Sequence, residues 1–182
     1  MGKVLWHITM SLDGFIAGPG GDMSWMAGYG GANPTAEEVM SKIGALFIGH
    51  RTFLGDDDAG AGSEEGKPYG GVWQGPMFVL THDKAPAPTP GFTFVGDLES
   101  GIAAAKAAAG DGYVVVLGAN TAQQCLDAGV LDEILIHVVP VLLGDGVRLF
   151  DRKGGDLVRL ERLSLTHSPQ VTNIWLSVVR AP

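Results

Sequence analysis

The amino-acid sequence predicts an α/β domain, with a mostly parallel central sheet that gains antiparallel strands at its C-terminal end. Three observations predict it. In the early chain, short apolar β-prone runs alternate with helical segments, the pattern of a parallel sheet. One of those runs, Tyr113–Leu117, is continuously apolar and rich in valine, as a strand covered on both faces must be. The last two runs instead alternate apolar with polar residues, as antiparallel strands with one wet face do.

Taken in order, residues 3–10 (KVLWHITM) open as a buried strand, followed by turn signals at Asp13-Gly14 and Pro19-Gly20-Gly21. A helix is predicted from Thr35 to about Ile43. Thr35 and Glu38 have capping-box spacing, and Glu37 and Glu38 place negative charge in the first turn. ALFIGHRTF then reads as a short buried strand ending at Gly49. Residues 55–76, rich in Gly and acid, carry no apolar period, and a connection of that length belongs to function or motion. MFVLT (77–81) and FTFV are strands on either side of a proline-rich loop. LESGIAAAKAAAG is helical and closes at Gly110. TAQQCLDAG is helical up to Gly129, and EILIHVVPVLLG is a strand interrupted by Pro140. LVRLERLSLTHS and VTNIWLSVVR form the terminal hairpin around Pro169-Gln170.

The chain's 182 residues suit one domain, spanning 1–182. No apolar run is long enough to span a membrane, and the N-terminal stretch lacks signal-peptide features, so a cytoplasmic protein without membrane partners is expected. The single cysteine, Cys125, excludes an internal disulfide framework and reads as a small core residue. The histidines show no zinc spacing, and no metal is expected. His7 and His137 lie in apolar strands and read as satisfied core residues. A net charge of −8 argues against nucleic acid, whereas a small anionic ligand needs only local donors.

Three segments follow buried strands and carry polar chemistry. Gly49-His50-Arg51-Thr52-Phe53 combines a small residue for close approach, a guanidinium fork and a capping hydroxyl. It fits either a phosphate site or a helix cap beside a solvated Arg. Leu117-Gly118-Ala119-Asn120-Thr121 fits a pyrophosphate turn or an ordinary strand–helix turn, and it lacks the full G-x-G-x-x-G pattern. Thr81-His82-Asp83 fits an adenosine-phosphate contact or an exposed turn. The run Asp56-Asp57-Asp58 reads as solvated acid rather than a cation site.

Together these segments resemble the dihydrofolate reductase-like superfamily, specifically the reductase domain of the bifunctional riboflavin-biosynthesis deaminase–reductase and its stand-alone relatives. The resemblance covers essentially the whole chain. Ser11-Leu12-Asp13-Gly14-Phe15-Ile16-Ala17 is similar to the family's S-x-D-G-x-I-A opening. Gly49-His50-Arg51-Thr52 is similar to its G-R-x-T turn with the Arg displaced by one position, and Gly118-Ala119-Asn120 to its G-G-x turn. The most specific stretch is Ala128–Ile134 running into Pro140–Gly146 and Leu149-Phe150, which resembles A-G-L-V-D-E-L followed by P-x-x-L-G-x-G-x-x-L-F.

The resemblance implies a three-layer dihydrofolate reductase-like fold, a homodimer, and an NADPH-dependent reductase of a small heterocycle. The family's best-defined reaction reduces a ribosylaminouracil phosphate (5-amino-6-(5-phosphoribosylamino)uracil). Thr9, Ile16 and Ala17 would flank the nicotinamide. Gly49, His50, Arg51, Thr52, Thr81 and His82 would lie on the adenosine-phosphate side, and Gly118, Ala119, Asn120 and Thr121 would wrap the pyrophosphate. On the substrate side, Asp22 to Trp25 would close over the ring, with Glu37 and Glu38 as further candidates and Arg148, Arg152 and Lys153 as the available cations. Folate reductases carry a carboxylate where this chain has Asn33, which argues against folate as substrate. No residue is assigned as proton donor. The competing readings are an NADP-binding regulatory module without turnover and a structural dimer with a decayed site.

Overall fold

The computed structural model describes residues 2–54, 69, 73–82 and 89–180. The expectations for Asp56, Asp57, Asp58 and Asp83, and most of the 55–76 connection, fall outside them. The elements run β1 (Val4–Ser11), β2 (Phe15–Ala17), α1 (Pro34–Met40), β3 (Ile43–Gly49), α2 (His50–Leu54), β4 (Met77–Leu80), β5 (Phe92–Val95) and α3 (Leu98–Ala109). They continue with β6 (Tyr113–Leu117), α4 (Ala119–Asp127), β7 (Glu133–Val139), β8 (Val147–Arg148), β9 (Arg159–His167) and β10 (Thr172–Val179).

Eight strands form one sheet in the order β5-β4-β3-β6-β1-β7-β10-β9, and β2 and β8 form a separate two-stranded ribbon. Pairing is parallel from β5 through to β7, and β10 and β9 are antiparallel. The fold is thus the α/β architecture expected from the sequence. The apolar run of β6 lies near the centre, with Val114, Val115 and Val116 fully buried.

Each face of the sheet has its own core. On one, Trp6, Phe47, Val116 and Ile134 pack with Ile102 and Ala105 of α3 and with Ala122, Cys125 and Leu126 of α4. On the other, Leu5, Leu46, Ile48, Val115 and Leu135 pack with Val39 of α1 and Phe53 of α2. Burial pushes the Cys125 thiol up to about 12, so it sits in this core as an inert apolar side chain. No helix among the described residues is long and apolar enough to cross a membrane.

Helix α3 begins and ends as its sequence dictates. Asp97 accepts the Ser100 N–H at 2.8 Å, and Gly110 closes the helix at φ 60°. The first helix departs from expectation. It starts one residue earlier, at Pro34, with Asn33 as N-cap and no side-chain cap, and it stops at Met40. The predicted capping box does not form because proline is pre-organised for the first helical position. The Thr35 hydroxyl instead pairs with Thr166 at 2.8 Å, on the distant strand β9. Ile43 opens the following strand instead of closing the helix. Strand β4 ends at Leu80, leaving Thr81 just beyond it.

The acidic pair Asp132-Glu133 of the most specific sequence stretch fastens the amino ends of the strands. Asp132 accepts the Val4 N–H at 2.8 Å and pairs with Lys106 and Arg180. Glu133, nearly fully buried, takes Lys3 at 2.5 Å, the Trp175 indole N–H at 2.8 Å and the Tyr113 hydroxyl at 3.2 Å. Its buried charge is therefore paired and fully hydrogen-bonded, as a buried carboxylate must be. This pair is scaffolding at the opposite end of the sheet from the strand-end turns.

Candidate functional site

The sheet opens at the carboxyl ends of two neighbouring strands. β1 pairs with β6 only from Val4 to Trp6, opposite Val114 to Val116. Its pairing with β7 continues through Ser11. From His7 onward, the edge of β1 that faces β6 has no strand partner. A slot results, flanked by His7, Ile8 and Thr9 on one side and by Leu117 and Gly118 on the other. Ligands of open α/β sheets bind outside the carboxyl ends of the strands, and here the β1–β6 ladder ends while β1 runs on.

Strand register brings the predicted turns to one level beside this slot. Gly49 is opposite Leu80, and Ile48 is opposite Leu117, so the turns after β3, β4 and β6 are neighbours. Gly118 has φ 103° and ψ 131°, a conformation natural only to glycine. A Cβ there would come within 2.6 Å of the Thr52 Oγ1, and a Cβ on Gly49 would collide with the Thr121 Oγ1. Gly49, Thr52, Gly118 and Thr121 are thus gathered in close contact. The Thr81 hydroxyl is buried without a hydrogen-bond partner among the described residues. Ala119 is half-buried, Asn120 accepts from Gln124 at 2.7 Å, and His50, Arg51 and His82 reach the surface. Small residues, a helix start and an orphaned hydroxyl beside an exposed guanidinium fit a phosphorylated dinucleotide.

The two outlying signature segments meet at the far end of β1. The Asp13 carboxylate accepts Ser11 Oγ at 2.6 Å, Gly144 N–H at 2.7 Å and Leu143 N–H at 3.1 Å. These hydrogen bonds, led by the Ser11 hydroxyl, hold its carboxyl down at about 2. Ile16 and Ala17 are buried in β2, which pairs with β8. Gly146, at φ 129°, presses against the Ala17 carbonyl where no side chain fits. The S-L-D-G-F-I-A and P-V-L-L-G-D-G segments are therefore two halves of one clamp. Sequence distance hid the contact.

The substrate-side candidates are dispersed. Asp22 is exposed and caps its own turn through Ser24 N and Oγ, both at 2.9 Å, which lowers its pKa. Trp25 is half-buried in the 3-10 turn Ser24–Met26, with its indole N–H unpartnered among the described residues. Glu37 and Glu38 are exposed on α1, Glu38 pairing with Lys42 at 2.6 Å, and the structure does not gather them with the slot residues. Arg152 is engaged by Asp127 at 3.3 Å, and Lys153 is almost fully exposed. Arg148 lies 4.5 Å above the Phe15 ring, beside the clamp.

A buried polar cluster adjoins the slot on the α1 face. His7 Nε2 is 2.6 Å from His137 Nε2, and His137 Nδ1 is 2.6 Å from Asn173 Oδ1. Asn33 and Asn173 exchange two amide hydrogen bonds of 3.0 Å each. Asn33, the N-cap of α1, is thereby engaged by protein partners, its Nδ2 lying also 3.3 Å from His137 Nδ1. The histidines are satisfied core residues as the sequence suggested, but they are satisfied mainly by each other. Burial, reinforced by His137, holds His7 down at about 3, and burial also lowers His137. Among the described residues no group of His, Cys, Asp and Glu is arranged to hold a metal.

The fold recurs in solved structures of low identity. A putative riboflavin biosynthesis protein from Shewanella sp. PV-4 is 23% identical, with TM-score 0.74, 99% of this chain and all of that one being covered. The deaminase/5-amino-6-(5-phosphoribosylamino)uracil reductase of Thermotoga maritima is 14% identical with TM-score 0.65; the match covers 98% of this chain and 57% of that one. Dihydrofolate reductase from Enterococcus faecalis, complexed with NADP(H), is 14% identical with TM-score 0.62, covering 97% and 95% of the two chains. No curated protein matches the sequence. Residues 2–175 match the RibD C-terminal domain, and the strand-end turns and the clamp lie within that span. The chain belongs to the RibD C-terminal domain family.

Proposed function

We propose that the protein is an NADPH-dependent reductase of a small heterocycle, with 5-amino-6-(5-phosphoribosylamino)uracil as the first substrate to test. The observation that carries this reading is the alignment of three strand-end turns beside a slot where the sheet parts. Family membership and the reductases that share the fold support it. The nicotinamide supplies the hydride when bound. The chain's own contribution is binding, alignment and exclusion of water. Arg51, Thr52, Thr81 and His82, with Gly49 and His50 at the turn, hold the phosphate that distinguishes NADPH from NADH. Gly118, Ala119, Asn120 and Thr121 wrap the pyrophosphate. Thr9, Ile16 and Ala17 flank the nicotinamide, and Asp22 to Trp25 border the substrate.

Calorimetric titration with NADPH and NADH, followed by NADPH oxidation with the aminouracil phosphate, tests the reading. NADPH is expected to bind at least tenfold tighter than NADH. Arg51→Ala should weaken NADPH about tenfold and leave NADH unchanged, the scale of one charge-assisted hydrogen bond. NADPH binding without turnover on any pyrimidine, pterin or carbonyl compound would leave a regulatory module. No binding at all would leave a scaffold.

The reading includes a homodimer. Edge strand β9 carries Leu160, Leu163 and Leu165 at 40, 52 and 57% exposure, a sheet edge that a second copy would cover. Sedimentation should give twice the chain mass, and Leu163→Glu with Leu165→Glu should give the monomer. A wild-type monomer at micromolar concentration would discard this assignment.

A further inference from the structure

The α1 face of the sheet changes character abruptly at the slot. Along β1 the inward residue changes from Leu5 to His7, along β7 from Leu135 to His137, and along β10 from Trp175 to Asn173. Between this end and the Glu133 cluster at the other, aliphatic side chains hold the face together, through Leu46, Ile48, Val79 and Val115. Polar groups appear where β1 has lost β6 as a neighbour. Buried polar networks cost desolvation that an apolar core avoids, and this one stands at the opening of the sheet, at the other end of β7 from the Glu133 cluster.

The network has a direction. The shortest contact of His137 Nδ1 is to an oxygen, Asn173 Oδ1, so Nδ1 carries the hydrogen. In a neutral ring His137 Nε2 is then an acceptor, and His7 Nε2 must donate to it. His7 Nδ1 is left as an acceptor. Its partner, at 3.0 Å, is the Tyr69 hydroxyl, which therefore donates inward. The Tyr69 ring stacks on the His7 imidazole with centroids 5.9 Å apart and planes 28° apart. Tyr69 has φ 56°, the one non-glycine residue with positive φ among those described. Non-glycine residues held in that region cluster at ligand-binding positions, where the surrounding contacts sustain the strain. Tyr69 is half-buried, and its ring packs against the core of the α1 face next to His7.

We propose that Tyr69 is a substrate-binding residue whose hydroxyl hydrogen is fixed inward by the His7–His137 pair, so that its oxygen accepts a hydrogen bond from an N–H of the heterocycle in the slot. His7 and His137 are positioning residues, and Asn33 and Asn173 set their tautomers. The assignment rests on the reductase reading and narrows it: the preferred substrate presents a ring or exocyclic N–H, as an aminouracil does. An analogue methylated at that nitrogen is discriminated against, because the Tyr69 oxygen then loses its donor. The chain recognises this edge of the substrate without a carboxylate, in keeping with Asn33 at the folate position.

Two measurements on the full chain test it. In ¹⁵N-histidine spectra at neutral pH, His7 is expected as the Nε2–H tautomer and His137 as the Nδ1–H tautomer. The Tyr69→Phe variant should shift the His7 Nδ1 resonance to that of an unbonded acceptor. It should also raise KM for 5-amino-6-(5-phosphoribosylamino)uracil about tenfold, leaving kcat within about twofold and NADPH affinity unchanged, on the scale of one neutral hydrogen bond. The Nδ1–H tautomer at His7 would make the Tyr69 hydroxyl an outward donor and overturn the proposal. An unchanged KM in Tyr69→Phe, with wild-type protein that binds and consumes NADPH, would remove Tyr69 alone. Wild-type protein that neither binds nor consumes NADPH would remove the reductase reading and this one with it.

Discussion

Replacing Gly118 with alanine is expected to destabilise the protein by about 2–4 kcal/mol and to weaken NADPH binding more than tenfold. Two effects add. The backbone at φ 103°, ψ 131° is one that only glycine adopts without strain. The new methyl group would also lie 2.6 Å from the Thr52 Oγ1, displacing a hydroxyl on the phosphate side of the slot. Relief by moving the backbone would turn the start of α4 away from the slot, which is why the cofactor loss should exceed the stability loss in proportion. Gly129→Ala is the control. It too has positive φ, at 67°, but its Cβ would meet nothing within 4 Å. Its expected cost is about 1 kcal/mol, with NADPH affinity unchanged. Urea denaturation and calorimetry on both variants check this. Equal NADPH affinity in the two would separate the Gly118 turn from cofactor binding.

The fold was legible because periodicity reports burial, and burial decides which strand lies where. The continuous apolar run of β6 announced a central strand, and alternation in β9 and β10 announced the antiparallel end. Local signals did well where the partner is local, as with Asp97 and Ser100 at the start of α3. They failed where a distant residue competes. Thr35 and Glu38 have capping-box spacing, but Thr166 takes the hydroxyl, and no count of residues along α1 reveals a strand 131 positions away. The site divides in the same way. Glycines and hydroxyls after buried strands are visible in sequence, since a strand end places them whatever else happens. The link between His7 and His137 crosses 130 residues and needed the parallel register of β1 and β7 to appear. Asp13 looked like a turn residue, and its role as a clamp needed Leu143 and Gly144 brought alongside. Glu37 and Glu38 carry charge on the exposed side of the first helix. What the helix turns inward is its N-cap, Asn33.

The same histidine pair makes stability fall with acid, starting at a higher pH than the carboxylates whose pKa the fold lowers. His7 and His137 both have folded pKa values below 6.5, His7 at about 3. Between those limits the unfolded chain binds protons that the folded chain refuses. Their stabilisation is thus present above pH 6.5 and is lost as pH falls toward the folded values. For His7 alone the loss amounts to roughly 4 kcal/mol by the time its folded value is reached. The carboxylates with lowered pKa, Asp13, Asp22 and Asp97, act in the same direction, as pH falls through their ordinary value of 3.8 toward the lowered ones. A decline that sets in between pH 6.5 and 5 is therefore expected from the imidazoles. Urea midpoints measured across that range should fall continuously. The His7→Gln variant, less stable at pH 7, should decline with a clearly shallower slope. A second proton cannot enter between two nitrogens 2.6 Å apart, so protonation must either break the pair or reverse the direction of the Tyr69 hydrogen bond. Acid should consequently loosen the slot before it unfolds the sheet, detectable as loss of NADPH-independent Tyr69 burial at a pH where β1 and β7 amides remain protected from exchange. Midpoints that stay flat from pH 6.5 to 4 would mean that the imidazoles already hold a proton in the folded protein, and the directional chain from Asn173 to Tyr69 would have to be redrawn around a cation.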